Sequence, residues 1–234
     1  MNTRRKFLLS GSMATAALLA SKPFTAVANS ISPVTGFSIN NNKLVLAHTG
    51  SKTNRSKTLQ HITKLKSNES NLIMLHAGNH APVNNTQTVY DASMHTGESF
   101  SVTANDYKII YKGDVKTGII TANDQSVSVE KINALATFLK KEKDCHLVVC
   151  LSQLGYKSST GLNDLQLAAS SVNLDIIIGG HATNFCKSPM IAWNKNKEEV
   201  IINHAGTEEL ALRKIEIGFD NLGRKHQVAF TRSC

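Results

Sequence analysis

Val129–Tyr156 reads VEKINALATFLKKEKDCHLVVCLSQLGY. Val129, Ile132, Leu135, Ala136, Phe138 and Leu139 recur at helical spacing, and lysines gather at the end of the run, where a helix carboxyl terminus favours cations. The spacing predicts a helix over Val129–Lys143. His146–Ser152 (HLVVCLS) follows as a continuous apolar run, the pattern of a strand covered on both faces. The same unit then repeats. Asp164–Val172 reads as a helix, and Leu174–Gly179 (LDIIIG) as another fully apolar strand. Apolar strands alternating with helices imply an α/β class, with helices packed on the faces of a sheet.

Further strands extend this core in both directions. Lys43–His48 (KLVLAH) and Asn71–His76 (NLIMLH) are short apolar runs, with a helix expected between them over Thr58–Lys66. Tyr107–Tyr111 and Lys116–Thr121 read as a strand pair joined at Gly113-Asp114. Glu199–His204, Ala211–Asp220 and Lys225–Thr231 read as strands, the last two joined by the turn Asn221-Leu222-Gly223. Ile215, Ile217 and Phe219 alternate with Lys214 and Glu216, so one face of that strand is wet. Ala81–Ser101 shows little periodicity and reads as loop.

The amino-terminal segment is an address. Met1–Lys6 is basic, Phe7–Ala20 is moderately apolar, and Ala26-Val27-Ala28 is a small-x-small cleavage signal ending at Ala28. The apolar part is too short and too interrupted to span a bilayer. Arg4 and Arg5, within Thr3–Leu9 (TRRKFLL), resemble the twin-arginine export signal. The expected layout is a signal peptide over 1–28, a Ser- and Asn-rich linker over 29–42 and one domain over 43–234. The expected destination is the periplasm by the twin-arginine route, with no membrane contact after cleavage. The formal charge of the 234-residue chain is +9, and residues 1–28 hold four cations and no acid, so the remainder carries +5. That balance is mildly basic, and no Lys/Arg run with interleaved aromatics points to nucleic acid. Of the four cysteines, Cys145 and Cys150 stand five positions apart along an expected strand, roughly 16 Å, beyond disulfide reach. Cys150 with Cys186 is within geometric possibility, and free thiols are the equal alternative.

In open α/β sheets, sites form beyond the carboxyl ends of strands. Here those ends are His48-Thr49-Gly50, His76–His80, Ser152–Gly155 and Gly179-Gly180-His181, each short, polar and glycine-bearing. Taken together the stretches resemble the calcineurin-like metallophosphoesterase domain of the 5′-nucleotidase family, whose members read LHTNDxH, DAGD, YDAxxxGNHEFD, LSHLGY and IIGGHxH. The matching stretches are Ala47–Thr53 (AHTGSKT), His76–Asn79 (HAGN), Tyr90–Phe100 (YDASMHTGESF), Leu151–Tyr156 (LSQLGY) and Ile177–Thr183 (IIGGHAT). Asn203–Gly206 (NHAG) resembles the strand after them. The resemblance implies a two-sheet sandwich flanked by helices, shortened between Phe100 and Tyr107 so that part of one sheet edge is missing. It also implies that the family's C-terminal substrate domain is absent.

The family's chemistry is hydrolysis of phosphate esters by two divalent metals about 4 Å apart, bridged by a carboxylate. Residue by residue, most of that site is replaced. The first-motif Asp and His fall on Ser51 and Thr53, and the bridging Asp falls on Asn79. The metal-binding Asn falls on Gly97 and the catalytic His on Glu98. Gln153 stands for the fourth motif's His; the last motif keeps His181 and has Thr183 at its second ligand. Neutral amides do not replace a bridging carboxylate between two dications. The reading is therefore a pseudoenzyme that needs no cofactor. The alternative is a nucleotide or other phosphate-ester hydrolase with one divalent metal, Zn or Mn, held by His181 with Asn79, Gln153, His48 or His80; His76 and His95 also fall near strand ends on that side. A third reading is a partner for a separately encoded substrate-domain protein.

Overall fold

The computed structural model describes residues 43–49, 63–65, 67–77, 87–91, 99–102, 107–122, 127–158, 161–181, 186–205 and 212–233. These all lie within the unit Phe37–Cys234. The leader, the linker, and Ser51, Thr53, Asn79, His80, His95, Gly97, Glu98 and Thr183 lie outside the described residues.

In chain order the strands are β1 (Lys43–Thr49), β2 (Leu72–His76), β3 (Gln87–Asp91), β4 (Ser99–Val102), β5 (Lys108–Lys112), β6 (Val115–Ala122), β7 (Leu147–Ser152), β8 (Ile176–Gly179), β9 (Met190–Trp193), β10 (Glu199–His204), β11 (Leu212–Phe219) and β12 (Lys225–Ser233). The helices are α1 (Val129–Lys141) and α2 (Asp164–Ser170). Residues 63–65 and 67–68 are also helical. The strands form two six-stranded sheets. The first runs β12-β11-β1-β2-β3-β4, and the second β5-β6-β7-β8-β10-β9. In the first sheet β1 and β2 are parallel; in the second β6, β7, β8 and β10 are parallel. The flanking strands run antiparallel.

Side-chain alternation sorts the apolar residues into layers. Leu44, Leu46, Ile73 and Leu75 of the first sheet meet Leu147, Val149, Leu151, Ile176 and Ile178 of the second, and this is the central core. Val148, Cys150, Ile177, Val200 and Ile202 face the other way, against Ile132, Ala136 and Leu139 of α1 and Leu167 and Ala168 of α2. Val45, Ala47, Leu72 and Met74 form a third cluster with Leu65 on the outer face of the first sheet. The arrangement is the expected two-sheet sandwich flanked by helices.

Local chemistry sets the helix ends. Ser128 caps α1 by accepting from Lys131 N at 3.2 Å, and Lys140 and Lys141 lie in its last turn. Helix α2 opens with a capping box in which the Asn163 side chain accepts from Gln166 N and Gln166 answers to Asn163 N.

Two sequence expectations are corrected. The loop expected over Ala81–Ser101 contains β3 and the start of β4, which pair antiparallel on β2 and on each other. Strands of five and four residues give too short a window for alternation to show, and pairing decides them. The edge strand β9 is likewise absent from the sequence reading: it has four residues, just after Pro189. Cys145, Cys150 and Cys186 are buried free thiols.

Candidate functional site

The carboxyl ends of the parallel strands from both sheets gather at one end of the sandwich. Register sets Ala122, Ser152, Gly179 and His204 in a row across β6, β7, β8 and β10. On the first sheet, His48 and Thr49 stand beside Leu75 and His76, with Arg213 across from His48. Arg213 joins the sheets by donating from Nη1 to Asn203 Oδ1 at 3.4 Å and from Nη2 to the Lys187 carbonyl at 2.7 Å. The polar side chains at this end fall into three groups, one for each layer.

The first group lies between the second sheet and α2. Ser152 Oγ donates to Asp164 Oδ1 and accepts from Leu154 N at 3.1 Å. Asp164 Oδ2 lies 3.0 Å from His204 Nε2, within ion-pair distance but off the angle of a hydrogen bond. All three side chains are fully buried. The Tyr156 and His204 rings pack nearly perpendicular, at 86°, with centroids 6.1 Å apart. Gly179 makes room for that ring, since a Cβ there would stand 2.4 Å from His204 Cε1 and Nε2. Gly155, at φ 83°, turns the chain after β7 so that its carbonyl accepts from Asp164 N at 2.9 Å. A serine, an aspartate and a histidine invite comparison with a hydrolytic relay. In that relay the histidine touches the serine and the aspartate lies behind it. Here the aspartate stands between the other two and water does not reach them. The group is a tie that fixes α2 to β7 and β10.

The second group caps the central core. His48, Asn203 and Arg213 are all buried and face between the sheets, continuing the alternation of Leu46, Ile201 and Ile215. Neither ring nitrogen of His48 has a hydrogen-bond partner. Burial, and then the Arg213 and His204 charges, press its pKa down to about 3. The third group lies on the outer face of the first sheet, where Thr49 Oγ1 and His76 Nδ1 are 2.7 Å apart. His48 and His76 therefore point to opposite faces of one sheet.

Other sequence-predicted residues are placed as follows. Gln153 follows β7; its backbone N–H donates to the Ala122 carbonyl at 2.9 Å and its Nε2 is buried without a partner. His181 follows Gly180, whose N–H donates to the Ser152 carbonyl at 2.9 Å. Asp164 and Arg213 are not singled out by the sequence, and Asn203 and His204 enter it only within the stretch Asn203–Gly206, because only the fold brings the four together.

The donor set tests whether a dinuclear centre fits. Two close dications require a bridging carboxylate. Among the described residues the only buried acidic side chain is Asp164, which is engaged by Ser152 and faces His204. A permanent cation, Arg213, stands beside His48. No group of three His, Cys, Asp or Glu side chains among the described residues is placed to hold a metal ion. These residues do not fit a two-metal centre. A cavity of about 400 Å³ lies at the opposite end of the second sheet, lined by Lys140, Cys145, His146, Asp175, Arg224 and Lys225 among others. Its charges are largely paired, with Lys140 Nζ 2.7 Å from Asp175 and Arg224 Nε 2.8 Å from Asp220.

The chain superposes on the 5′-nucleotidase precursor of Thermus thermophilus with a TM-score of 0.61 at 16% identity, over 81% of this chain and 54% of that one. It superposes on the NAD nucleotidase of Haemophilus influenzae with a TM-score of 0.58 at 13% identity, over 81% of this chain and 49% of that one. At such identities the likeness is one of fold. The chain spans about half the length of each of these structures. No protein-family model matches the chain, and no curated protein does.

Proposed function

We propose that this chain is an exported relative of the 5′-nucleotidases whose two-metal centre has been lost, a pseudoenzyme that keeps the scaffold. The observation that carries the reading is the engagement of Asp164. The one buried acid among the described residues serves to pin α2 to the strand ends, and the guanidinium of Arg213 occupies the space between the sheets where added positive charge is least welcome. Ser51 and Asn79, where the resembling family has acids, support it from the sequence. A nucleotide or other phosphate ester is the ligand class that the fold suggests. The signal Arg4-Arg5 and the cleavage point at Ala28 support export to the periplasm.

The test is phosphate release from AMP and from p-nitrophenyl phosphate by the mature protein, with and without Mn²⁺ or Zn²⁺. The expected result is no dication-dependent release above that of a His181→Ala variant. Dication-dependent hydrolysis at enzyme-like rates that His181→Ala abolishes would replace the pseudoenzyme by a single-metal phosphoesterase. Export is tested separately. Replacing Arg4 and Arg5 by lysine should hold the precursor in the cytoplasm, and undiminished periplasmic accumulation counts against the twin-arginine route.

A further inference from the structure

Register and cross-sheet contacts sort the four cysteines. Cys145 precedes β7 and lines the cavity at the end of the second sheet away from the strand carboxyl ends. Cys150 is fully buried on β7 and packs on the side of α1 and α2. Strands β8 and β10 separate β7 from β9, a span of roughly 14 Å, and Cys186 lies just ahead of β9. That removes the Cys150–Cys186 pairing which the sequence leaves open. Cys186 is buried as a thiol, with Sγ donating to the Ser188 carbonyl at 2.7 Å. Cys234 is the position after Ser233, the last residue of β12, and lies one step beyond the described residues.

The two positions belong to one corner of the sandwich. Lys225, which opens β12, donates to the carbonyl of Glu199, which opens β10, at 3.2 Å. Strand β12 therefore runs from the foot of β10 toward the carboxyl ends. At that end Arg213 reaches across from β11 to Asn203 of β10 and to the carbonyl of Lys187, the residue after Cys186. The register partner of Arg213 is Arg232, two positions before Cys234. Phe230 stands opposite Ile215 of the central core, so it faces between the sheets, and strand alternation returns to that face at position 234.

We propose that Cys186 and Cys234 close a disulfide that ties the end of β12 to the segment entering β9. Facing sheets stand about 10 Å apart and a disulfide spans about 6 Å between Cα atoms, so the two positions must lean together by about 4 Å, one residue of chain. Both lie beyond strand ends, where such a step breaks no ladder. The oxidant is a disulfide. The Cys234 thiolate attacks it and one thiol leaves; the Cys186 sulfur then displaces the second thiol from Cys234, so the pair gives up two protons and two electrons. Cys186 exchanges its contact with Ser188 for the bond. The bond rests on the exported reading for the oxidising surroundings in which it persists.

The test reduces the mature protein, removes the reductant and adds glutathione disulfide, followed by iodoacetamide in urea and trypsin. Cleavage after Lys157, Lys187 and Arg232 leaves Cys145 and Cys150 on one peptide and Cys186 and Cys234 on two others. The expected product joins the Cys186 and Cys234 peptides and carries alkylated Cys145 and Cys150. Closure should raise the melting temperature by roughly 5–10 °C. Cys234→Ser should lose both the link and the rise while melting with the reduced chain. Four alkylated thiols, a link to the peptide of Cys145 and Cys150, or a link between two chains overturns the proposal. The glutathione reaction needs no export, so it judges the bond even if Arg4 and Arg5 prove dispensable. Protein recovered from the periplasm under acid quench should carry the same link, and a pair found reduced there overturns the proposal as well.

Discussion

Burial and the neighbouring Arg213 and His204 charges hold His48 near pKa 3, against about 6.5 for an unfolded histidine. The folded state therefore binds fewer protons than the unfolded chain between those values. The contribution is fully present above about pH 6.5 and is lost progressively as pH falls toward about 3. The loss is about 1.4 kcal/mol per pH unit, or about 2 kcal/mol at pH 5. A His48→Leu variant has no proton to bind and leaves no partnerless nitrogen in the core. Its unfolding free energy minus that of the wild type should rise by about 2 kcal/mol between pH 7 and pH 5 in urea titrations. A difference that stays flat with pH would show that His48 is solvated. Gly179 makes a second prediction at this scale. A Cβ added there comes within 2.4 Å of a fully buried ring, and neither partner has room to yield. Gly179→Ala should cost about 2 kcal/mol, and pairing it with His204→Ala should return at least about 1 kcal/mol of that as coupling. Additive losses would exclude the steric account. The sequence marks Gly179 and His48 as strand-end residues. It does not mark Arg213 or Asp164, since nothing local in either stretch shows what lies across the sandwich.

At the scale of elements, α2 shows what the buried tie does. A helix of seven residues does not hold itself together in water. Its capping box supplies one anchor and Asp164 the other, through Ser152 on β7 and His204 on β10. Asn163→Ala should cost about 1 kcal/mol. Asp164→Ala removes the acceptor of the buried Ser152 hydroxyl and should cost about 2 kcal/mol, read by urea denaturation. A cost under 1 kcal/mol would mean that the tie holds nothing. Elements of this kind divide by how they are specified. Strands β7, β8 and β10 and helix α1 are legible because long apolar runs and helical spacing are written in adjacent residues. Their observed bounds differ from the expected ones by no more than a few positions: α1 ends at Lys141, where Lys143 is expected, because Asp144 takes a positive φ of 50° and Cys145 N turns back to Leu139 O. Strands β3, β4 and β9 are not legible. They have four or five residues and lie at or next to sheet edges, so pairing with a neighbour decides them.

For the whole molecule, the question is whether folding depends on a metal. Three apolar clusters account for the sandwich: one between the sheets, one under α1 and α2, and one on the outer face of the first sheet. They are built almost wholly from aliphatic side chains, which bind no ion. At the strand ends, where a metal would act, Ser152 engages Asp164 and Arg213 engages Asn203 across elements. A protein stabilised by a resident ion gains about 2.7 kcal/mol at a hundredfold excess over the dissociation constant, which for a domain of this size is a shift of roughly 5–10 °C. The clusters and ties imply no such shift here. Melting curves in chelator, and after addition of Mn²⁺ or Zn²⁺, should agree within about 2 °C. A rise of the larger size that saturates at micromolar metal, and that His181→Ala removes, would place an ion at the end of β8. It would then fall to residues such as Asn79 and His80 to complete its shell, and the engagement of Asp164 would no longer decide the chemistry of this fold.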